Sequence, residues 1–235
     1  MEQGTLFWKK NLNQVFGVLV FLGAAMILIY LVFQGIRIQN PFFENTWIFR
    51  MFDIGHEVNV PTFFSVMLFF VLSACALICG MYDKFLQKLK KEWTPWIFIS
   101  TLLLFLSFDE LAQVHEQLTY HTQYILGGVS GLFYFAWVIP YGIILLLMSF
   151  YLVPFLLKLS TTTKYTIIAG ALVFVLGAIG MEMIGARFYE MGGVYHPGFI
   201  IGSSLEEFME ITGLLIAVWG LFQEVHTRLD QKIYR

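Results

Sequence analysis

The sequence predicts an all-α fold, a polytopic integral membrane helix bundle of about six transmembrane helices. Of its 235 residues, 58% are hydrophobic, 18% are aromatic and only 13% are charged, whereas soluble domains carry about 25% charged residues. About six apolar segments are each long enough to span a bilayer, which takes roughly 20 residues. These spans and short loops use up the chain, so we expect a single transmembrane domain over residues 1–235.

The first two spans are predicted at residues 14–35 and 61–82. The first is too long for the core of a signal peptide, so we expect a retained helix. Pro61 opens the second span, and proline suits the first position of a helix. Between the two spans, residues 41–58 mix apolar and charged side chains, which is typical of a segment lying in the membrane interface.

The third and fourth spans are predicted at residues 95–120 and 132–157. Thr94 and Pro95 supply a cap and a first-turn proline for the third span, which then continues without a helix breaker. Pro140 lies inside the predicted fourth span, where it is expected to kink the helix.

The last two spans are predicted at residues 165–190 and 203–224. The fifth carries Gly170, Gly177 and Gly185, and small residues let membrane helices approach closely. We therefore expect this helix in the interior of the bundle.

The basic residues are distributed unevenly between the two sides of this topology. Of the 14 lysines and arginines, only Arg37, Arg50 and Arg187 fall in segments on the side away from the amino terminus. Cytoplasmic loops carry such an excess of positive charge, so both termini are predicted to be cytoplasmic. The two cysteines, Cys75 and Cys79, are expected to be small buried residues.

The densest polar stretch of the chain, residues 107–117, extends the apolar third span. A charged side chain near the bilayer centre costs about 2.5–3.5 kcal/mol on insertion scales, so acids placed there are functional candidates. At about 100° per residue, Asp109, Gln113 and Glu116 fall on one stripe with Glu110 beside it. His115 is expected to point elsewhere.

Two other spans bring acids to a compatible depth, counting 1.5 Å per residue. We predict an outward-facing pocket whose metal ligands are Asp109, Glu110, Glu116, Glu182 and Glu210. The expected supporting residues are Gln113, His115, Arg187, His196, Glu206 and Glu207.

A divalent metal ion is the predicted cofactor, because hard cations collect carboxylates and helix bundles build such sites from facing helices. Structural alternatives remain for some of these acids. Ser203-x-x-Glu206 and Ser204-x-x-Glu207 match the capping box at a helix start, and Glu182 could pair with Arg187.

Three functions remain open. The first is a membrane metalloenzyme acting on a lipid or other apolar substrate, the second a cation- or proton-coupled transporter, and the third an accessory subunit without chemistry. The inner parts of the third and sixth spans are almost entirely apolar, which favours a one-sided pocket over a conducting path. The expected partners are the lipid bilayer and a lipid or small apolar molecule, not a nucleic acid, and neither catalytic residues nor an oligomeric state is assigned.

Two stretches carry a resemblance, Phe52-Asp53-x-x-x-Glu57-x-Asn59-x-Pro61-Thr62 and Ser107-x-Asp109-Glu110-x-x-x-x-His115-Glu116. They resemble a group of uncharacterised bacterial multi-pass membrane proteins, which implies a place in the bacterial cytoplasmic membrane and no particular activity. The predicted architecture is also similar to that of membrane hydrolases of the ceramidase type, whose histidine pattern this chain lacks.

Overall fold

A computed structural model describes residues 2–53, 58–85 and 93–233 of the chain. Within these ranges the fold is all-α, with no strand, and six helical segments are long and apolar enough to cross a membrane. The predicted fold class is therefore confirmed. Glu57 of the first motif lies outside the described residues.

The first three membrane-crossing helices are α1, α3 and α4. A 3₁₀ turn at Pro41–Asn45 and the short helix α2 follow α1, and the helix α5 follows α4 directly. The bounds are α1 Glu2–Gln39, α2 Trp47–Phe52, α3 Val60–Phe85, α4 Thr94–Ala112 and α5 Val114–Leu126.

The second half of the chain supplies three further crossings. The fifth crossing is one continuous helix made of α7, a π-helical turn and α8. The bounds are α6 Val138–Leu156, α7 Thr161–Val175, the π-helical turn Leu176–Met181, α8 Glu182–Gly192 and α9 Pro197–Ile233. We call the end of the bundle that holds Asp83 and Arg228 the inner end, after the predicted cytoplasmic side, and the opposite end the outer end.

Asn59 explains part of the first motif, because it caps the outer end of α3. Its Oδ1 accepts the backbone N–H of Thr62 at 3.1 Å, and its Nδ2 donates to the carbonyl of Asp53 at 2.6 Å. An asparagine at this position satisfies an otherwise unpaired amide of the first helical turn. The same side chain thereby fixes the end of α2 against the start of α3.

The predicted continuous helix over residues 95–120 is wrong, since α4 ends at Ala112 and α5 begins at Val114. Gln113 adopts a left-handed conformation, with φ 54° and ψ 39°. Left-handed backbone is uncommon outside glycine, asparagine and aspartate, and the sequence has no glycine or proline here. The Asp109 side chain accepts the backbone N–H of His115 across this break, as described below, and so stabilises it.

Two other local expectations are corrected. Helix α6 begins at Val138, so Pro140 lies in its first turn, where a proline does not force a kink. Helix α9 begins at Pro197, so the capping-box interpretation of Ser203 and Ser204 is also wrong. Both hydroxyls lie within the helix and donate to the carbonyl of Ile200, at 3.3 and 2.6 Å.

The core lies between α3, α4 and α9. Buried apolar side chains of α3 and α9 meet there, among them Leu68, Leu72, Leu214, Val218 and Leu221. Two hydroxyls cross the core between α3 and α4, with Ser73 donating to the carbonyl of Ser100 at 2.8 Å. Because lipid offers no hydrogen-bond partners, such polar groups must be satisfied within the protein.

The fifth crossing packs on α9 through its glycines. A Cβ added to Gly213 of α9 would lie 2.5 Å from the backbone nitrogen of Phe174, and one added to Gly170 would lie 2.7 Å from the carbonyl oxygen of Gly213. The two backbones are therefore in direct contact, as small residues permit. Leu172 and Leu176 of the same crossing are exposed. This crossing therefore packs on α9 along one side only, and the expectation that it lies in the interior of the bundle is wrong.

A buried ionic cluster joins α3, α4 and α9 at the inner end. The Arg228 guanidinium contacts Glu224, lies 3.0 Å from Asp83 Oδ2 and stacks 5.1 Å from the centre of the Trp96 ring. These charged side chains are almost fully buried, so their mutual pairing offsets the cost of removing them from water.

We predict that Arg228→Met lowers the free energy of unfolding by about 3–5 kcal/mol, because it leaves the carboxylates of Asp83 and Glu224 buried without a counter-charge. Thermal unfolding of the purified protein in detergent measures the loss. Glu44→Gln is the control, since it breaks the more exposed Arg37–Glu44 pair, 3.1 Å apart, and should cost under about 1 kcal/mol. Equal losses in the two variants would contradict a stabilising role for the buried cluster.

Candidate functional site

Asp109 is the first element of the outer site. It lies on the last turn of α4 with only 5% of its surface exposed. Its Oδ1 accepts the backbone N–H of His115 at 2.9 Å, and its Oδ2 lies 3.3 Å from His115 Nδ1. The carboxylate therefore caps the first turn of α5 and positions the imidazole, so the expectation that His115 points elsewhere is wrong.

Two aromatic residues at the start of α6 complete the surroundings of this pair. The Tyr141 hydroxyl donates to Asp109 Oδ1 at 2.9 Å. The Trp137 ring lies 4.8 Å from the His115 ring and 5.2 Å from the Tyr141 ring, measured between centres. His115 is thus held between a carboxylate and two aromatic rings, which restricts its orientation.

Trp137 also connects Asp109 and His115 to the acids of α8 and α9. Its indole N–H donates to Glu182 Oε1 at 3.1 Å. The carboxyl group of Glu182 in turn lies close enough to that of Glu206 to interact with it. A chain of contacts therefore runs from α4 through α6 and α8 to α9, and we call Asp109, His115, Tyr141, Trp137, Glu182 and Glu206 the outer network.

The π-helical turn before α8 places Glu182 in this network. A π turn holds one extra residue, which rotates the residues after it by about 100°, and such turns are frequent at functional sites. Its Gly177 lies against α9 so closely that an added Cβ would be 2.9 Å from the carbonyl oxygen of Glu206. The close contact brings α8 near the acids of α9.

Glu207 and Glu210 lie close enough to Glu206 to interact with it electrostatically. Glu210 is largely buried, with 9% of its surface exposed, whereas Glu206 and Glu207 are half-buried. The structure therefore brings Glu182, Glu206, Glu207 and Glu210 into one acidic group, with the predicted supporting residue Glu206 at its centre.

The remaining predicted site residues take other positions. Glu110 is half-buried on α4, Glu116 is exposed on α5, and Arg187 is exposed on α8. His196 precedes α9, where its Nδ1 accepts the backbone N–H of Gly198 at 3.0 Å and its ring stacks 5.1 Å from that of Phe188. That histidine serves as a helix cap.

The predicted metal ligands do not form a recognisable metal centre. In the three described ranges, no group of three or more His, Cys, Asp or Glu side chains is arranged to hold a metal ion. The prediction of a divalent cation thus has no structural support from these residues, and it stays a prediction.

The fold and this site define a multi-pass membrane protein with an acidic hydrogen-bonded network in one half of its bundle. Residues 15–225 match the model of a family described as a domain of unknown function (DUF8692), so the chain belongs to that family. No curated protein and no solved structure matches the chain.

Sequence reasoning missed Trp137 and Tyr141, because single aromatic residues near the start of a membrane helix are common interface anchors. Their spacing of four places them on one face of a helix. That spacing was the only signal available for the two aromatic residues, and nothing in the sequence linked it to Asp109.

We predict that Tyr141→Phe lowers the free energy of unfolding by about 1–3 kcal/mol, because it removes a hydrogen-bond donor from the buried Asp109 carboxylate. Thermal unfolding in detergent measures the change. Tyr151→Phe on the same helix removes an exposed hydroxyl that lies 3.4 Å from Thr94 Oγ1, and it should change stability by less than about 0.5 kcal/mol. A Tyr141→Phe variant as stable as this control would contradict the assigned contact.

Proposed function

We propose that the outer network is an acid–base site that exchanges a proton with an amphiphilic molecule reaching it from the outer leaflet. The observation that carries the proposal is the position of Glu182, whose Oε1 accepts the Trp137 indole N–H at 3.1 Å while its carboxyl group lies close enough to that of Glu206 to interact with it. Two carboxyl groups this close repel one another when both are ionised, and one proton between them removes the repulsion. Paired carboxyl groups that share a proton are a recurrent source of catalytic acids.

His115 is the complementary base in this proposal. A carboxylate next to one imidazole nitrogen fixes the orientation of the ring and stabilises its charged form. Asp109 occupies that position, 3.3 Å from His115 Nδ1. The Trp137 ring lies beside His115 and also donates to Glu182, so the proposed base and the proposed acid border the same indole.

The surroundings favour an amphiphilic substrate. Helix α6, which carries Tyr141 and directly follows Trp137, buries only Val138 among its residues, and Ile143, Leu147 and Phe150 are exposed on its surface. Such a surface faces lipid tails in a bilayer. A molecule with an apolar tail can lie against α6 while its polar head reaches the outer network.

The apolar core supports a one-sided site over a transport path. Below the outer network, the space between α3 and α9 is filled by buried apolar residues including Leu72, Ala76, Leu214 and Val218. A path for ions needs polar groups or water through this region. The proposed acid–base chemistry does not need the divalent metal ion predicted from the sequence, and metal analysis of the purified protein would test that prediction independently.

We predict that infrared spectroscopy of the purified protein detects a protonated, buried carboxylic acid. The band should disappear in Glu182→Gln and in Glu206→Gln, because each variant removes one of the two groups that share the proton. Glu190→Gln is the matched control on the same helix as Glu182. Its carboxylate is exposed and accepts the backbone N–H of Gly131 at 2.6 Å, so the band should persist.

Two results would overturn the assignment of the proton. One is a wild-type spectrum without the band, and the other is a band that survives in both single variants. A shift of this band on addition of a long-chain amine or alcohol, in wild type and in the Glu190→Gln control, would identify the amphiphile as a ligand of the site.

The two native cysteines test whether the site is one-sided. Cys75 and Cys79 are buried in the inner part of α3, with 8% and 0% of their surfaces exposed. We predict that a charged, water-soluble thiol reagent leaves both unlabelled in the folded protein and labels both after denaturation, as mass spectrometry would measure. Labelling of the folded protein would indicate an aqueous path and favour the transporter.

A further inference from the structure

We propose that the packed rings of Tyr134, Phe135, Tyr189 and Phe199 cover the outer network on its outward side, so that only molecules dissolved in the bilayer reach it. We call these four rings the aromatic layer. The inference rests on the proposed acid–base function, because it names the route by which the amphiphile reaches that site. Its evidence is the position of the rings relative to the acids, the contacts that hold them and the open space beside the site.

The rings of Tyr189 and Phe199 lie two helical turns outward of the acids of the site. Tyr189 follows Glu182 by seven residues on α8, and Phe199 precedes Glu206 by seven residues on α9. Seven residues rise about 10 Å along a helix and return to the same face. The two rings are 5.2 Å apart between their centres, so one aromatic pair covers the two carboxyl groups.

The segment that leads into α6 supplies the other two rings. The Phe135 ring lies 5.1 Å from the Tyr189 ring and 6.4 Å from the Phe199 ring, and the Tyr134 ring lies 5.7 Å from the Tyr189 ring. Separations of this size are those of aromatic side chains in contact. The four rings therefore form one packed layer between α8, α9 and the start of α6.

Hydrogen bonds fix the loop that carries this segment. Gln123 Nε2 donates to the carbonyl of Tyr134 at 2.7 Å, and the Glu190 carboxylate accepts the backbone N–H of Gly131 at 2.6 Å. The first bond ties the segment to α5 and the second ties it to α8. The aromatic layer is thus attached to the helices on both of its sides.

Helices α8 and α9 also meet between the aromatic layer and the acids. A Cβ added to Gly202 would lie 3.4 Å from the Cα of Gly185, and one added to Gly185 would lie 3.7 Å from Cδ2 of Phe199. Glycines permit such a close approach of two membrane helices. The direct route from the outer solution between these two helices is therefore closed.

Open space remains at the side of the bundle. Apart from its own helical turn, a Cβ added to Gly142 of α6 would meet no described atom within 4 Å, and one added to Gly180 would meet only Leu176 of the same π-helical turn, at 3.9 Å. Glu182 and Glu206 are half-buried, so each keeps some exposed surface. Because the aromatic layer lies on their outward side, this surface is reached from the side that faces lipid.

This arrangement determines which molecules reach the acids. A molecule must first enter the bilayer, and transfer from water favours one with a large apolar surface. The aromatic layer therefore selects for amphiphiles and against small water-soluble molecules, without contacting the group that exchanges the proton. Exclusion of water also strengthens the electrostatic interactions within the site.

The test compares two carbodiimides on the full chain in lipid vesicles, with each reagent present on both sides of the membrane. Carbodiimides add to protonated carboxyl groups; dicyclohexylcarbodiimide dissolves in the bilayer, whereas a carbodiimide that carries an ammonium group stays in water. In wild type, mass spectrometry should find Glu182 or Glu206 modified by the lipid-soluble reagent only. Glu116, which is exposed on α5, is the internal control, because the water-soluble reagent should modify it in every sample.

Removing a ring of the aromatic layer should admit the water-soluble reagent. Tyr189→Ala and Phe199→Ala should each raise its rate of reaction with the two acids by at least about tenfold. The lipid-soluble reagent should still react in both variants, which would show that the site remains folded. Tyr195→Ala is the matched control, because it removes a ring that is 69% exposed at the same end of the bundle, and it should behave as wild type.

Three results would separate the possible errors. Modification of the two acids in wild type by the water-soluble reagent, or its continued exclusion when both rings are removed, would overturn the aromatic layer as a barrier and leave the proposed acid–base function standing. No reaction with the lipid-soluble reagent, where infrared spectroscopy shows the protonated acid, would overturn entry from the bilayer. Absence of the protonated acid itself would instead refute the proposed function on which this inference rests.

Discussion

The carboxylate of Asp109 determines how the outer half of the bundle is built. It ends α4, caps the first turn of α5 and receives the hydroxyl of Tyr141 from α6. A buried carboxylate is stable only where donors surround it, and lipid supplies none. The left-handed Gln113 follows from this constraint, because the chain must turn there for the His115 amide to reach the carboxylate. The same carboxylate thus stabilises the turn between α4 and α5 and positions the side chains of His115 and Tyr141.

The spans were predictable because length and hydropathy suffice to recognise a membrane helix. The acids could be singled out from the sequence, because a carboxylate such as Asp109 or Glu210 is costly in a membrane segment, and their role as a functional site stays a prediction. Their partners were not predictable. The break at Gln113 is accompanied by the Asp109 side chain capping His115, and the π turn before Glu182 has no sequence signal. Together these two features decide which side chains face one another. If residues are assigned to helix faces at a regular 100° per residue across either feature, those beyond it are placed on the wrong face.

Helix α9 connects the two ends of the molecule. Within one helix, Pro197–Ile233, it carries the acids of the outer network, the glycine that contacts α7 and the inner cluster around Arg228. Close contact at Gly213 and ionic pairing at Arg228 hold this helix against its neighbours at two depths. The acids near its outer end therefore project from a fixed support, which is a condition for a precisely positioned site.

The two polar ends of the bundle differ in what their charges can do. At the inner end, one guanidinium contacts two carboxylates and an indole ring, so the charges there are used in holding three helices together. At the outer end, carboxyl groups lie next to one another, and the contacts of Glu206 are with other acids. Acids gathered this closely repel one another unless protons or positive charges lie between them. This difference between paired charges at the inner end and neighbouring carboxyl groups at the outer end is why the proposed acid–base site lies in the outer half of the bundle.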